Sequence, residues 1–141
     1  MRRRLIGRIA LPLALVVSAG TAVVALAQET APPGGNYKKV STLVALPDFV
    51  PGLGTLYVDP KTLPAGPFLA YDKQGQLVSS VYMIPLKDIE AHKAFNDLAV
   101  AKDKVDHVDM YYNAGHPGVA EPHYHVVVWY VSPQKAAALK Q

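Results

Sequence analysis

Residues 122–131 read Pro-His-Tyr-His-Val-Val-Val-Trp-Tyr-Val. After the opening proline every position is aromatic, imidazole-bearing or β-branched, and no Gly or Pro interrupts the run. Such a stretch packs on a pleated surface and loses side-chain freedom in a helix, so it defines a strand. Any fold available to this chain must build a sheet around it.

The remaining segments supply partners for that strand. Val40–Leu46 and Thr55–Asp59 are short, apolar and β-branched, and are separated by a Pro/Gly loop. Phe68–Asp72 and Leu77–Ile84 flank Lys73-Gln74-Gly75-Gln76, which predicts a β-hairpin. Val105–Tyr112 alternates as a further strand. Helical spacing is found over 85–102, where Leu86, Ile89, Phe95, Leu98 and Ala99 fall on one stripe. Ser132 and Pro133 are placed as N-cap and first residue of a short terminal helix. Four strands, a helix, two strands and a helix make a single α+β domain over residues 40–141. Its sheet is mostly antiparallel, with about six strands, one main helix and a short C-terminal helix.

The N-terminus has a different character. Arg2, Arg3, Arg4 and Arg8 precede an apolar run ending in Ala25-Leu26-Ala27. A basic region, an apolar region and a small-x-small site are the layout of a secretory signal over residues 1–27, with cleavage before Gln28. Uncleaved, the same segment would serve as a membrane anchor, since its length is close to a bilayer span. Residues 28–39 are polar and rich in Pro and Gly and read as a flexible lead. The protein is therefore expected to be exported, periplasmic or secreted.

Charge follows from that division. The 141-residue chain is formally +3, but all four Arg lie in residues 1–8. Beyond residue 27 there are ten Lys against eleven Asp and Glu, a net charge of −1. A near-neutral domain without Arg lacks the basic footprint of nucleic-acid binding. There is no Cys, which removes thiol nucleophiles, thiolate metal sites and disulfides.

Four of the five His lie in residues 107–125. Alternation puts His107 and Asp109 on one strand face, and His123 and His125 on one face of the next. The even-numbered faces are the more apolar, which predicts that they meet the core. Shared burial fixes the parity of the hairpin, so odd residues face odd residues. Pairing 107 with 125 would bring His107 and Asp109 opposite His125 and His123, with His116 in the intervening loop. Imidazoles and a carboxylate in this pattern suit a divalent transition metal such as Zn or Cu. The candidate ligands are His107, Asp109, His116, His123 and His125. His92 reads as an ordinary helix residue.

The stretch from Tyr111 to Val131 resembles the signature of an uncharacterised family of exported bacterial proteins, a domain-of-unknown-function group. Its members carry W-N-P-x-G-H-x-P followed by P-H-F-D-x-H-F-Y. Asn113, Gly115 and His116 match the first element, and Pro122, His123 and Tyr124 the second. Tyr112, Ala114, His125 and Val127 depart from it. The resemblance implies export, a His-rich loop and strand, and homo-oligomers, with no settled activity.

Three functions are compatible with these features. The first is an exported binding domain whose His cluster holds a metal. The second is a small-molecule or partner-binding homo-oligomeric module without metal. The third, a metal-dependent enzyme, needs three ligands, an open position and a general base. No Ser-His-Asp, phosphate-loop or cofactor motif accompanies the cluster, so the balance leans away from catalysis.

Overall fold

Six strands form one sheet because strands this short are not stable alone in water. In the computed structural model, which describes residues 30–141, they are β1 (Lys38–Lys39), β2 (Thr55–Val58), β3 (Phe68–Tyr71), β4 (Leu77–Pro85), β5 (His107–Asn113) and β6 (His123–Trp129). Every pairing is antiparallel, and the spatial order is β1-β2-β3-β4-β6-β5. Two short helices, α1 (Leu86–Glu90) and α2 (Pro133–Ala138), complete the expected α+β domain. The expected signal segment, residues 1–27, lies outside the described residues. Among those described, no helix is long and apolar enough to cross a membrane.

The hairpin is built where the sequence places it. Asp72 Oδ1 accepts from the backbone N–H groups of Gln74 and Gln76, 3.0 and 2.8 Å away, closing the turn between β3 and β4. Ser132 caps α2 through Lys135 N–H, with Pro133 as first residue. The described part of the lead lies along the domain, with Ala31 N–H donating to Gly75 O and Lys38–Lys39 pairing with β2.

Two segments depart from expectation. Val40–Leu46 is not a strand: a single 3-10 turn (Val40–Thr42) is followed by an irregular path. Its apolar residues lie across the sheet as a lid, with Val40 buried and Val44 and Leu46 packed on the core. Asp48 holds the segment back through Ser41 Oγ and Lys39 Nζ. The helix predicted over 85–102 stops after Glu90. His92 and Asp97 adopt positive φ, 55° and 54°, which breaks the helical repeat. Phe95 and Ala101 instead pack separately on the sheet, and the Ala101 N–H donates to Tyr130 Oη. Ile89 and Leu98 of the predicted stripe are exposed.

Both sheet faces are covered, unequally. The larger cluster joins Leu56, Val58, Phe68, Val81, Val127 and Trp129 beneath α2 and the 40–53 segment. On the other face Tyr82, Ile84 and Val128 pack with Phe95 and Tyr130. The odd face of β6, not the even one, thus meets the main core, and the even-numbered Val108, Met110 and Tyr112 of β5 are exposed. Strand by strand the even residues are more apolar. What decides burial is that the lid and α2 sit over the odd face, while nothing described covers the even face of the edge strand.

Burial leaves one defect on the minor face. The Tyr82 hydroxyl is enclosed with no hydrogen-bond partner among the described residues, and burial pushes its pKa up to about 12. A buried hydroxyl without a partner costs about 1–3 kcal/mol. Tyr82→Phe is therefore expected to be neutral or to stabilise by about 1 kcal/mol in urea unfolding. Destabilisation beyond about 1 kcal/mol would show that the hydroxyl is satisfied in solution.

Candidate metal centre

The centre is positioned by β6, the loop before it and the strands on either side. On one flank β4 places Met83 beside His125 and Pro85 beside His123. On the other, β5 places Tyr111 beside His125 and Asn113 beside His123. Odd residues do face odd residues, but the register is displaced by four from the 107–125 pairing. His107 lies opposite Trp129, and Asp109 opposite Val127.

Consequently the five predicted ligands separate into two groups. His116, His123 and His125 converge, with one ring nitrogen from each within 4.8 Å of the others. His107 stacks on Trp129 at 5.9 Å between centroids, and its Nδ1 is 2.9 Å from Asp106. Asp109 accepts from Trp129 Nε1 at 2.9 Å. These two residues fix the indole, and their pairs on β6 lie two (Asp109) and four (His107) residue pairs further along the strand than the Tyr111–His125 pair.

His116 reaches the strand pair through the loop over 114–122. His116 and Val119 exchange two backbone hydrogen bonds of 2.9 Å around Pro117-Gly118. Gly118 has φ +89°, the conformation a type II turn needs at its third residue. A Cβ there would lie 2.9 Å from Val44 Cγ1, so the turn rests directly on the lid. The spacing His-Pro-Gly-Val carried this turn in the sequence. It could not show which part of the strand pair the turn folds over.

Outer contacts orient each ring. His123 is fully buried, and its Nδ1 lies 2.7 Å from the Glu121 carbonyl oxygen. Only Nδ1–H can serve a carbonyl, so in the neutral ring Nε2 carries the lone pair. His116 repeats the arrangement with Nδ1 3.0 Å from Pro117 O. His125 Nε2 stands 3.0 Å from His123 Nε2, and its Nδ1 lies 3.0 Å from Tyr111 Oη. Tyr111 can donate or accept. When it donates, His125 Nε2–H donates to His123. When it accepts, both Nε2 atoms present lone pairs to the same point. Two donors on one ion at about 2.0–2.1 Å are separated by roughly 2.9–3.4 Å, which spans the observed spacing. Tyr111 was not among the predicted site residues; its only signal was its place on the strand preceding the loop.

Electrostatics favour a neutral His125 ring. Burial, with the His123 and His116 rings as neighbours, pushes His125 down to about 4. Desolvation, then the Asp109 charge, raises the Tyr111 hydroxyl, which stays protonated.

Fold and site together define a small α+β domain with three convergent imidazoles on a buried sheet face. Among solved structures, hypothetical protein TTHB210 from Thermus thermophilus is 48% identical, covering 68% of this chain and 89% of that one, with a TM-score of 0.59. The TTHB210-like family, described as hypothetical protein TTHB210, matches residues 72–112. This chain belongs to that family, one of unknown function. No curated protein matches it.

The depressed His125 value has a consequence for folding. An unfolded chain protonates this ring near pH 6.5, whereas the folded chain does so only near pH 4. Between those values the unfolded state binds the extra proton. Stability is therefore full above about pH 6.5 and falls as pH drops to about 4, by on the order of 3 kcal/mol. Urea midpoints of the metal-free protein at pH 7 and 4.5 measure the loss, and His125→Phe should reduce it. Equal pH dependence in wild type and variant would remove His125 as the cause.

Proposed function

We propose that this protein is an exported, non-enzymatic binding domain in which His116, His123 and His125 hold a divalent transition metal, Zn or Cu. The observation that carries this reading is the 3.0 Å approach of two buried Nε2 atoms whose opposite nitrogens each have an outer partner. Histidines that ligate metals characteristically use the second nitrogen in this way. Three neutral imidazoles on a rigid strand and a tight turn suit a borderline ion, and the turn lets His116 close the remaining distance.

Calorimetric titration of Zn²⁺ and Cu²⁺ into untagged, metal-free protein tests it. His123→Ala and His125→Ala should each weaken binding by about 100-fold or more, and His116→Ala by a smaller factor. Tyr111→Phe should cost about tenfold through loss of the outer contact. His107→Ala and His92→Ala should bind as the wild type does. Wild-type binding no tighter than that of the His123/His125 double variant ends the metal reading.

Export and self-association belong to the same proposal. The Arg-rich start, the apolar run and Ala25-Leu26-Ala27 support removal of residues 1–27. Edge strand β5 supports association: Val108, Met110 and Tyr112 are 55, 59 and 51% exposed on one face. Unpaired edges that are also apolar invite pairing with a copy of the same strand. Protein recovered from outside the cytoplasm should begin at Gln28 by intact mass. It should scatter light as a multimer at tens of micromolar, and Met110→Lys should yield monomers. A full-length chain confined to membranes sinks the first expectation, and a wild-type monomer the second.

A further inference from the structure

An ion held by three imidazoles would fill only a corner of the space beside it. A cavity of about 860 Å³ lies between the odd face of the sheet and its lid, within the roughly 300–1,000 Å³ of small-molecule sites. Leu56, Val58, Phe68 and Val81 form its floor, and Val44 and Leu53 belong to its roof. His116 and His125 line it, together with Tyr111 and Asn113. Its polar lining is thus concentrated on the β5 side, and Lys140 is the one charged lining residue elsewhere.

Chemistry distinguishes the two ends. Three neutral imidazoles leave the charge of a divalent ion uncompensated, and three protein ligands leave a coordination position open. Asp109 is engaged by the Trp129 N–H and is not among the converging groups. An anionic oxygen donor is the complement of that position. Whatever carries it must continue over an apolar floor from β6 across β4 and β3 to β2, three strand spacings, or about 14 Å.

We infer that this cavity binds a carboxylic acid with an extended apolar tail, its carboxylate on the triad's metal and its tail along the floor beneath the lid. The inference rests on the metal reading above and assigns that site its ligand class. A chain of about a dozen carbons matches the floor. Burial of each methylene tightens binding about fourfold, so two carbons are worth about 15-fold until the cavity is full.

Trp129, the single Trp of the chain, lines the cavity, so its fluorescence reports on occupancy. Octanoate, decanoate and dodecanoate are titrated into zinc-loaded and metal-free protein, with dodecanol as the tail without an anionic head. Zinc-loaded protein should bind the acids with the roughly 15-fold steps and prefer dodecanoate to dodecanol by about tenfold or more. Metal-free protein should keep the steps and lose the preference. Ala136→Phe, at the α2 wall, should flatten the steps and leave zinc affinity unchanged. Zinc binding without any chain-length step overturns the ligand assignment and leaves the metal reading standing. Steps without zinc binding overturn the carboxylate's place because the metal reading itself has failed. Equal binding of dodecanoate and dodecanol to zinc-loaded protein overturns the head-group assignment alone.

Discussion

The pairing of β4 with β6 is the interaction on which the rest depends. Seven residue pairs run from Ser79–Trp129 to Pro85–His123 without a break. One end of β6 is thereby anchored by Val127 and Trp129 in the main core. The other end carries His123 and His125 into the same interior. A slip of one residue would turn the imidazoles to the opposite face and bring Tyr124 and Val126 beneath the lid. The strand that binds the core together is therefore also the strand that sets the site.

Burying two histidines side by side requires that their polar atoms be satisfied without bulk water. Backbone carbonyls do this for His123 and His116, and a tyrosine hydroxyl does it for His125. These contacts hold the His123 and His125 rings in place whether or not a ligand is bound, so reorganisation on metal entry would be confined to His116 and its turn. The lid participates as well, since Val44 supports the turn that carries His116. Cavity roof and histidine loop are in direct contact.

Legibility in the sequence tracked how local the deciding forces were. The β3–β4 hairpin and the α2 cap depend on neighbours within a few residues, Asp72 and Ser132, and were readable. So was odd-to-odd pairing of β5 with β6. The register was not, because two offsets of the same parity differ only in how the 114–122 loop folds. That displacement is why His107 and Asp109 serve Trp129 rather than the triad. Val40–Leu46 was misread as a strand for a related reason: an apolar run is needed equally by a strand and by a lid. The 85–102 stripe failed because tertiary packing of Phe95 and Ala101 outweighed helical spacing, through two residues with positive φ. Apolar counts per strand also missed which face the lid would cover.

Tyr111 sits on β5, the outermost strand, held on one side only. Edge strands open at lower free energy than central ones. Opening β5 would withdraw the hydroxyl from His125 Nδ1 without disturbing the β4–β6 pairing beneath it. The ring's tautomer would then be free to switch. Were the triad to hold an ion, its lifetime would in this way be tied to the fraying of a strand whose other edge faces solvent, and anything sealing that edge would lengthen it. Occupancy at the centre and order at the rim would then be one equilibrium read from two places.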